Sequence, residues 1–301
     1  MSCLNSSLLV NLEILTTAVY ALPTIVLYFF LTATILSRQT FHHPFFYQFI
    51  ILSVSNICLW TTIFFIQRVV PHPGLCSLLY PYFSEPSISL KPIYLGYHGC
   101  IILQFVTIIA MCINRVTVIL WPLHATHFWS RNCVRVNAAI LLSSLLICTY
   151  MAGWQCSITF GYRGDVLEVQ FHQGWPYIGL TTMGTIEALT CLFVIIFTTI
   201  TGLIALSRSN VTKLRMVEAN LFWTSLGFSF TTSIVSIYML TITVSRSNFP
   251  EIFLLAREIR GWVFDINCLI PAWLLLATNK KIRTLFWQRK RVSVTFLSQV
   301  S

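Results

Sequence analysis

Two acidic side chains stand alone inside long apolar stretches of this 301-residue sequence, and they are the residues best suited to chemistry. Glu187 is the only charged residue within 169–207, and Asp265 is the only one within 261–279. A carboxylate among apolar residues needs a partner, because an isolated buried charge is costly. Asp265 either contacts a polar ligand or pairs with Arg260 at the start of its own stretch. Glu187 has no basic neighbour in its stretch, so we assign it to ligand binding.

The other candidate constellations do not build a catalytic or metal site. His124 and His127 have the spacing of a helical metal pair, but no third ligand accompanies them, so a solvated loop is the better interpretation. His98 and Asp265 are too few for a membrane metal hydrolase, and no Gly-x-Ser-x-Gly sequence occurs. We therefore expect neither an enzyme nor a bound metal or cofactor.

The composition excludes most soluble proteins. Hydrophobic residues make up 56% of the chain and charged residues only 9%, where a soluble domain carries about 25%. So few charges cannot cover a solvated surface, although the net charge is +10. A basic balance indicates nucleic acid only on a soluble domain, so a nucleic-acid partner is not expected.

Seven continuous apolar stretches can each supply the roughly 20 residues with which a helix crosses a bilayer. The predicted spans are 14–36, 45–66, 93–113, 136–156, 178–204, 220–244 and 258–278. Because the stretches are continuous and do not alternate, helices are favoured over a barrel. The sequence predicts an all-α membrane protein, with a seven-transmembrane helix bundle over residues 1–279 and a basic tail over 280–301.

The distribution of Lys and Arg predicts the orientation, because these residues stay on the cytoplasmic side. The first 37 residues contain neither, so the N-terminus is expected to be extracellular. The inner loops and tail then hold thirteen basic residues against Glu218 alone, a net charge of +12, and the rest of the chain carries −2. Such an inner face is expected to meet the anionic leaflet of the lipid bilayer.

In this orientation, polar groups collect in the outer half of three predicted spans. His98 and Gln104 lie in span three, Glu187 in span five and Asp265 in span seven. Trp175 precedes span five, although a single aromatic residue there is more often part of the interface belt. These five residues form the predicted site for a small, partly apolar ligand.

Two covalent features are expected on the outer face. Cys3, Cys76 and Cys156 lie at or near it, and a Cys76–Cys156 disulfide would join the first outer loop to span four. Free thiols at all three positions are the open alternative. Asn5 lies in an Asn-Ser-Ser sequon and is the predicted glycosylation site, because the second sequon, at Asn210, falls in an inner loop.

Short motifs near the span ends give the sequence a family resemblance. They are Leu-Pro at 22–23, FHHPFFY at 41–47, Asn114-Arg115 without a preceding acid, Trp-Pro-Leu at 121–123, His-Phe-Trp at 127–129 and PAWLLLATNKKIR at 271–283. In order and spacing, over the whole length, they resemble the nematode serpentine chemoreceptors of the class gamma and class V group. These are seven-transmembrane G-protein-coupled receptors.

The resemblance implies a chemosensory receptor of the plasma membrane, including the sensory cilia of neurons, that activates a heterotrimeric G protein. Arg115 stands where such receptors contact the G protein. The alternative is that Arg115 only anchors span three at the membrane edge. Asn114, Pro122, Lys213 and Arg215 are assigned to the same coupling surface.

Several positions depart from rhodopsin-like receptors. An acidic residue directly before Arg115 could form an ion pair with it, but Asn114 cannot. Glu218, the only acid on the predicted inner side, is therefore the suggested partner of Arg115. Span two contains Asn56 and Ser53 but no Asp, which argues against a sodium pocket, and Asn267 lies one turn before the proline of span seven. The details of rhodopsin-like activation are therefore not carried over.

The tail has the pattern of an amphipathic helix. Ile282, Leu285 and Phe286 are spaced i, i+3, i+4 and are flanked by basic residues. We expect a short cytoplasmic helix lying along the inner membrane surface.

A seven-span ligand-gated channel or transporter is the alternative function. Transporters often carry internal repeats and paired, interrupted helices, and neither is visible here. Insect-type chemosensory channels place the N-terminus inside, which is opposite to the predicted orientation.

Overall fold

The computed structural model describes residues 7–41, 43–70, 90–152, 157–163, 166–172 and 216–287, with isolated helical positions between 189 and 203. Its long helices are α1 (Ser7–Ser37), α2 (Pro44–Phe64), α3 (Leu90–Leu120), α4 (Pro122–Ala152), α5 (Met216–Asn248) and α6 (Pro250–Thr278). A short helix, α7, covers residues 280–287. Within these described ranges, six helices are long and apolar enough to cross a membrane.

Exposed apolar side chains identify the face of α1 that meets lipid. Leu15, Val19, Leu22, Val26 and Phe29 follow one another at intervals of three and four residues, and each is more than 60% exposed. That spacing places all five on one side of a helix. In water such a stripe would be an unusually large apolar surface, whereas in a bilayer it is solvated by lipid.

Proline and short polar side chains set the helix ends. Pro44 is the first residue of α2, and the ring of His43 caps that helix by accepting from the backbone N–H of Phe45. Asn279 separates α6 from α7, and its side-chain oxygen accepts from the backbone N–H of Ile282 at 3.2 Å. The tail therefore starts a new capped helix, with Ile282 fully buried against the bundle.

Helix α2 ends in a π-helical turn, Phe65–Val69, which carries the buried Arg68. Such turns are rare and occur often at functional sites.

An antiparallel hairpin follows α4. Strands β1 (Ser157–Arg163) and β2 (Val166–His172) pair in register from Ser157 opposite His172 to Arg163 opposite Val166. They form the one sheet in the described part of the chain, and they lie in a connection that the sequence treats as a plain loop.

Helix α4 starts earlier than the predicted span four. Residues 122–135 are helical, although the sequence assigns them to an inner loop. These first turns contain exposed residues such as His124 and Arg131, so hydropathy cannot detect them as part of a span.

Two apolar clusters form the bundle core. The first contains Phe45, Phe49, Met111 and Phe228, and the second contains residues such as Trp60, Tyr97 and Phe264. The second cluster lies near the starts of α1, α3 and α6 and the ends of α2 and α5. This is the end of the bundle that the charge distribution places outside, and it is referred to below as the predicted outer end.

Candidate functional site

Asp265 lies in a buried ion cluster towards the predicted outer end. Arg68 Nη2 is 2.7 Å from Asp265 Oδ2, and Arg68 Nη1 is 3.3 Å from Oδ1. The indole Nε1 of Trp60 donates to Oδ1 at 2.9 Å, and the Tyr20 hydroxyl donates to Oδ2. Each carboxylate oxygen thus accepts from two donors, which is close to the full capacity of the group.

Arg68 joins three helices through this cluster. Besides Asp265 of α6, its Nε donates to Glu13 Oε1 of α1 at 3.0 Å. A Cβ added to Gly261 would lie 2.9 Å from Arg68 Nη2, so the glycine leaves room for the guanidinium. The buried cation therefore has one buried and one partly exposed carboxylate as partners.

Asp265 pairs within the bundle, as one of the two alternatives above predicts, but Arg260 is not its partner. Residues five apart on a helix do not face each other, whereas three or four apart do. Arg260 instead donates to the Tyr97 hydroxyl at 2.8 Å. The cation that pairs with Asp265 is Arg68, in the π-helical turn that ends α2.

A groove of about 560 Å³ runs between α1 and α6 beside this cluster. Its walls are mostly apolar, and they include the partly exposed rings of Trp262 and Trp273. Asp265 reaches the groove but is only 4% exposed, and its oxygens are already occupied by donors. The geometry indicates that Asp265 has a structural role in joining helices more than a role as a hydrogen-bond acceptor for a ligand.

A chain of buried polar side chains crosses the middle of the bundle. Gln104 Nε2 donates to Asn56 Oδ1 at 2.8 Å, and Asn267 Nδ2 donates to Gln104 Oε1 at 2.8 Å. Asn56 Nδ2 donates to the Tyr28 hydroxyl at 2.8 Å, which donates to the Cys268 carbonyl at 2.6 Å. These hydrogen bonds connect α1, α2, α3 and α6.

Both Nε2 and Oε1 of Gln104 are hydrogen-bonded within this network, and the side chain is fully buried. In the described structure Gln104 therefore lies in a network between helices, and a ligand would contact it only after those bonds break. A fully satisfied amide network is stable, but breaking one bond exposes the next polar group.

At the opposite end of the bundle, Arg115 is held inside the structure. It is 2% exposed, its guanidinium lies over the Phe45 ring at 4.8 Å, and its Nη2 is 3.1 Å from Nδ1 of His43. Asn114 Oδ1 lies 3.5 Å from the same Nη2, and Asn114 Nδ2 donates to Gln48 Oε1 at 3.5 Å. Arg115 and Asn114 thus contact the first turns of α2.

His43 accepts from two donors with one nitrogen. Its Nδ1 receives the Phe45 N–H at 3.3 Å and faces the Arg115 guanidinium at 3.1 Å. Burial and the neighbouring Arg115 cation lower the pKa of His43 from its usual 6.5 to about 4. At neutral pH the ring is therefore uncharged, with Nδ1 as the acceptor and Nε2 carrying the proton.

The start of α4 is tied to the same region. Pro122 begins this helix directly after Trp121, and Trp129 Nε1 donates to Thr117 Oγ1 at 2.8 Å. Of the predicted coupling residues, the buried Arg115 and Asn114 thus lie on α3 and the exposed Pro122 on α4, and the hydrogen bond between Trp129 and Thr117 joins these two helices.

His98 lies at the predicted outer end among aromatic rings. It is 3% exposed, with edge contacts to Tyr94 at 4.7 Å and Tyr97 at 4.8 Å between ring centroids. Tyr97 also contacts Arg260, so the predicted ligand residue His98 belongs to a cluster with a cation from α6.

Several predicted features lie outside the described residues. They are Glu187 and Trp175 of the ligand site, Lys213 and Arg215 of the coupling surface, Cys76, Cys156 and Asn5, and the side chain of Glu218. Their predicted roles stay predictions.

Arg68 and His43 were not identified from the sequence. Arg68 lies just past the predicted span two, where a charge marks only the end of the span, and its partner Asp265 is 197 residues away. His43 precedes a proline that starts a helix, which is a capping signal that points to the residue. Nothing in the sequence indicates that the same ring contacts Arg115.

Comparison with known proteins agrees with this architecture. The family profile described as Srg family chemoreceptor matches residues 14–286. The chain is 24% identical to Serpentine receptor class gamma-20 of Caenorhabditis elegans, over 90% of the chain and 79% of that protein. It is 25% identical to Serpentine receptor class gamma-17 over 83% and 77%, and 26% identical to Serpentine receptor class gamma-5 over 85% and 79%, both of Caenorhabditis elegans.

The match covers nearly all of the helical bundle, and the family is one of chemoreceptors with seven transmembrane helices. The predicted all-α, seven-transmembrane fold and the predicted resemblance are confirmed, and the chain is a multi-pass membrane protein. This protein belongs to the Srg family of chemoreceptors.

Proposed function

We propose that this chain is a chemosensory receptor of the plasma membrane that activates a heterotrimeric G protein. A small molecule binds between the helices at the predicted outer end, and the G protein binds at the opposite end. The family is a chemoreceptor family. In the described bundle, buried polar residues lie at the predicted outer end, in the middle and at the opposite end.

The burial of Arg115 carries the proposal. A guanidinium at the end of α3 that only anchored the helix would extend towards the membrane surface. Arg115 is instead 2% exposed and contacts His43 and Phe45 of α2. We interpret this arrangement as the resting position of a cation that turns outwards when the receptor couples.

The amide network supplies the route between the two ends. Asn56 of α2, Gln104 of α3 and Asn267 of α6 share hydrogen bonds, so a movement of one helix changes the contacts of the others. A ligand shifts the equilibrium between two arrangements only as far as it binds one of them more tightly. In the proposed mechanism, the ligand favours an arrangement in which Arg115 leaves His43.

The remaining predicted features complete the proposal. Lys213 and Arg215 belong to the coupling surface with Asn114 and Pro122. Helix α7 packs its fully buried Ile282 on the bundle, and Lys280, Lys281 and Arg283 are exposed. This face is suited to anionic lipid on the inner leaflet, where each basic residue contributes about 1 kcal/mol. Glycosylation of Asn5 and a Cys76–Cys156 disulfide remain part of the proposal for the outer face.

Calcium or cAMP imaging tests the proposed function. Cells expressing the chain are exposed to an odorant and metabolite panel, beside cells expressing Arg115→Ala and Arg115→Lys at equal surface levels. We expect a compound that activates the unmodified chain and has no effect with Arg115→Ala. A response that persists unchanged in Arg115→Ala contradicts the role of Arg115.

A further inference from the structure

The two arginines near the predicted outer end have different surroundings. Arg68 contacts two carboxylates, Glu13 and Asp265. Arg260 contacts none among the described residues: its Nη2 donates to the Tyr97 hydroxyl at 2.8 Å, and its guanidinium lies 5.1 Å from the centre of the Tyr97 ring. A cation inside a membrane bundle is costly unless it is paired. Arg260 is therefore a charge that lacks an anion in the described structure.

Two buried polar atoms in this region, one of them on Arg260 itself, also lack a hydrogen-bond partner within the described residues. They are the Nε of Arg260 and the hydroxyl oxygen of Tyr238. Tyr238 is 5% exposed, so water does not freely solvate its hydroxyl. Buried donors of this kind are normally hydrogen-bonded, and leaving one without an acceptor is costly.

The three helices that supply these groups meet over one aromatic ring. Phe264 of α6 contacts Tyr97 of α3 at 5.9 Å and Tyr238 of α5 at 6.1 Å between ring centroids. Arg260 lies four residues before Phe264 on the same side of α6. The polar atoms of Arg260, Tyr97 and Tyr238 are thus gathered next to an apolar, fully buried ring.

We propose that Arg260 and Tyr238 bind the carboxylate of a small ligand whose remaining part is apolar. The guanidinium fork matches the two oxygens of a carboxylate, and the Tyr238 hydroxyl donates a further hydrogen bond. One arginine with no acid beside it in the described part of the chain balances one negative charge, which favours a monoanion over a phosphate. The neighbouring rings of Phe264, Tyr97 and His98 make the surroundings of the carboxylate apolar.

This inference rests on the proposed function, because it names the ligand class of the proposed receptor, but it is testable without a G protein. The full chain is purified into nanodiscs and incubated with a medium-chain fatty carboxylate that carries a diazirine and an alkyne. Its methyl ester is the uncharged probe. After illumination, saturable labelling is measured in the presence of increasing octanoate, and labelled peptides are identified by mass spectrometry.

We expect the carboxylate probe to label α3, α5 or α6 near these residues and the ester to label them weakly. Arg260→Gln is expected to weaken probe binding about tenfold or more, since a hydrogen-bonded charge is removed. Tyr238→Phe is expected to weaken it less, and Arg260→Lys to retain part of it. Glu258→Gln, an exposed change two residues from Arg260, is the matched control and should leave labelling unchanged.

Equal labelling by ester and carboxylate overturns the inference. So does an Arg260→Gln chain that melts at the normal temperature and binds the probe with unchanged affinity, or the absence of saturable labelling of the unmodified chain. Saturable labelling that depends on Arg260, in a receptor that fails to activate any G protein, would sustain this inference and contradict the proposed function.

Discussion

A single nitrogen atom of His43 makes two contacts, and one of them is with Arg115. Its Nδ1 caps the start of α2 through the Phe45 N–H and contacts the Arg115 guanidinium. Because asparagine caps a helix with a shorter side chain, a substitution can preserve the cap and remove the contact with Arg115. This separation makes His43 the most informative residue at the predicted inner end.

Replacing His43 should raise basal coupling. Asparagine caps helices well, so His43→Asn keeps the start of α2 but is too short to hold Arg115, whereas His43→Ala loses both. We expect raised ligand-independent signalling from both variants, and a loss of about 1 kcal/mol in stability only for His43→Ala. Basal cAMP or calcium is measured together with the melting temperature. Basal activity at the unmodified level in His43→Asn argues against the resting contact.

The low pKa of His43 predicts a pH-dependent stability. In the unfolded chain the ring takes a proton near pH 6.5, but in the folded chain only near pH 4. The unfolded state therefore binds more protons between these values, and stability present above pH 6.5 is lost as the pH falls towards 4. We expect the melting temperature of the detergent-solubilised chain to fall in this window, and to fall less in His43→Asn. Identical pH profiles would show that His43 does not contribute.

For individual residues, the sequence indicates which side chains are important but not which side chains they contact. Asp265 is conspicuous because it interrupts an apolar stretch, and burial demands that something pair with it. The partner, Arg68, lies on a distant helix and carries no local signal. The absence of an acid around Arg260 among the described residues carries no local signal either, because it depends on how three helices meet.

Among the elements, α1, α2 and α6 are held together by the Arg68 cluster. Glu13, Arg68, Asp265, Tyr20 and Trp60 come from these helices and from the π-helical turn that ends α2. The cluster acts across helices that meet mainly through apolar contacts, so it fixes their relative position.

Breaking this pair on one side should destabilise the bundle more than neutralising both sides. Arg68→Gln leaves the Asp265 carboxylate buried without its cation, which costs about 3–5 kcal/mol in such pairs. In Arg68→Gln/Asp265→Asn no net charge is buried, so we expect the double variant to melt above Arg68→Gln. Thermal melting of the purified chains in detergent measures this. Additive losses from the two substitutions would contradict a coupled pair.

The packing of α3 on α4 depends on one glycine. A Cβ on Gly99 would clash with Cys148 Sγ, whereas a Cβ on Gly96 meets nothing within 4 Å. Gly99→Ala is expected to cost about 1–3 kcal/mol through overpacking. Gly96→Ala, one turn earlier on the same helix, should be neutral or gain about 0.5–1 kcal/mol from helix propensity. Equal melting temperatures for the two variants would show that α3 and α4 are not closely packed at Gly99.

Helices were predictable wherever apolar stretches are long and uncharged. The first turns of α4 were not, because residues 122–135 are polar and only their contact with α3 through Trp129 and Thr117 shows how they pack. The hairpin Ser157–His172 was missed for a related reason, since its strands are short and follow a span. The π-helical turn of α2 has no known sequence signal.

For the whole molecule, the order of short motifs carried more information than any motif alone. Residues 41–47, 114–123 and 271–283 each resemble many membrane helices, but together they predicted the family that the profile match shows. The charge distribution predicted seven spans and an extracellular N-terminus. It does not specify which inner residue would contact the proposed G protein, because that depends on the position of Arg115 beside α2.

Nucleotide exchange on a purified heterotrimeric G protein tests the central claim of coupling through Arg115 most directly. The chain in nanodiscs is mixed with each G-protein class, and GTP uptake is compared between the unmodified chain, His43→Asn and Arg115→Ala. We expect stimulated exchange with one class, faster exchange with His43→Asn, and none with Arg115→Ala, whose labelling by the carboxylate probe persists. Exchange at the same rate with Arg115→Ala, or no exchange with any class even for His43→Asn, would contradict it.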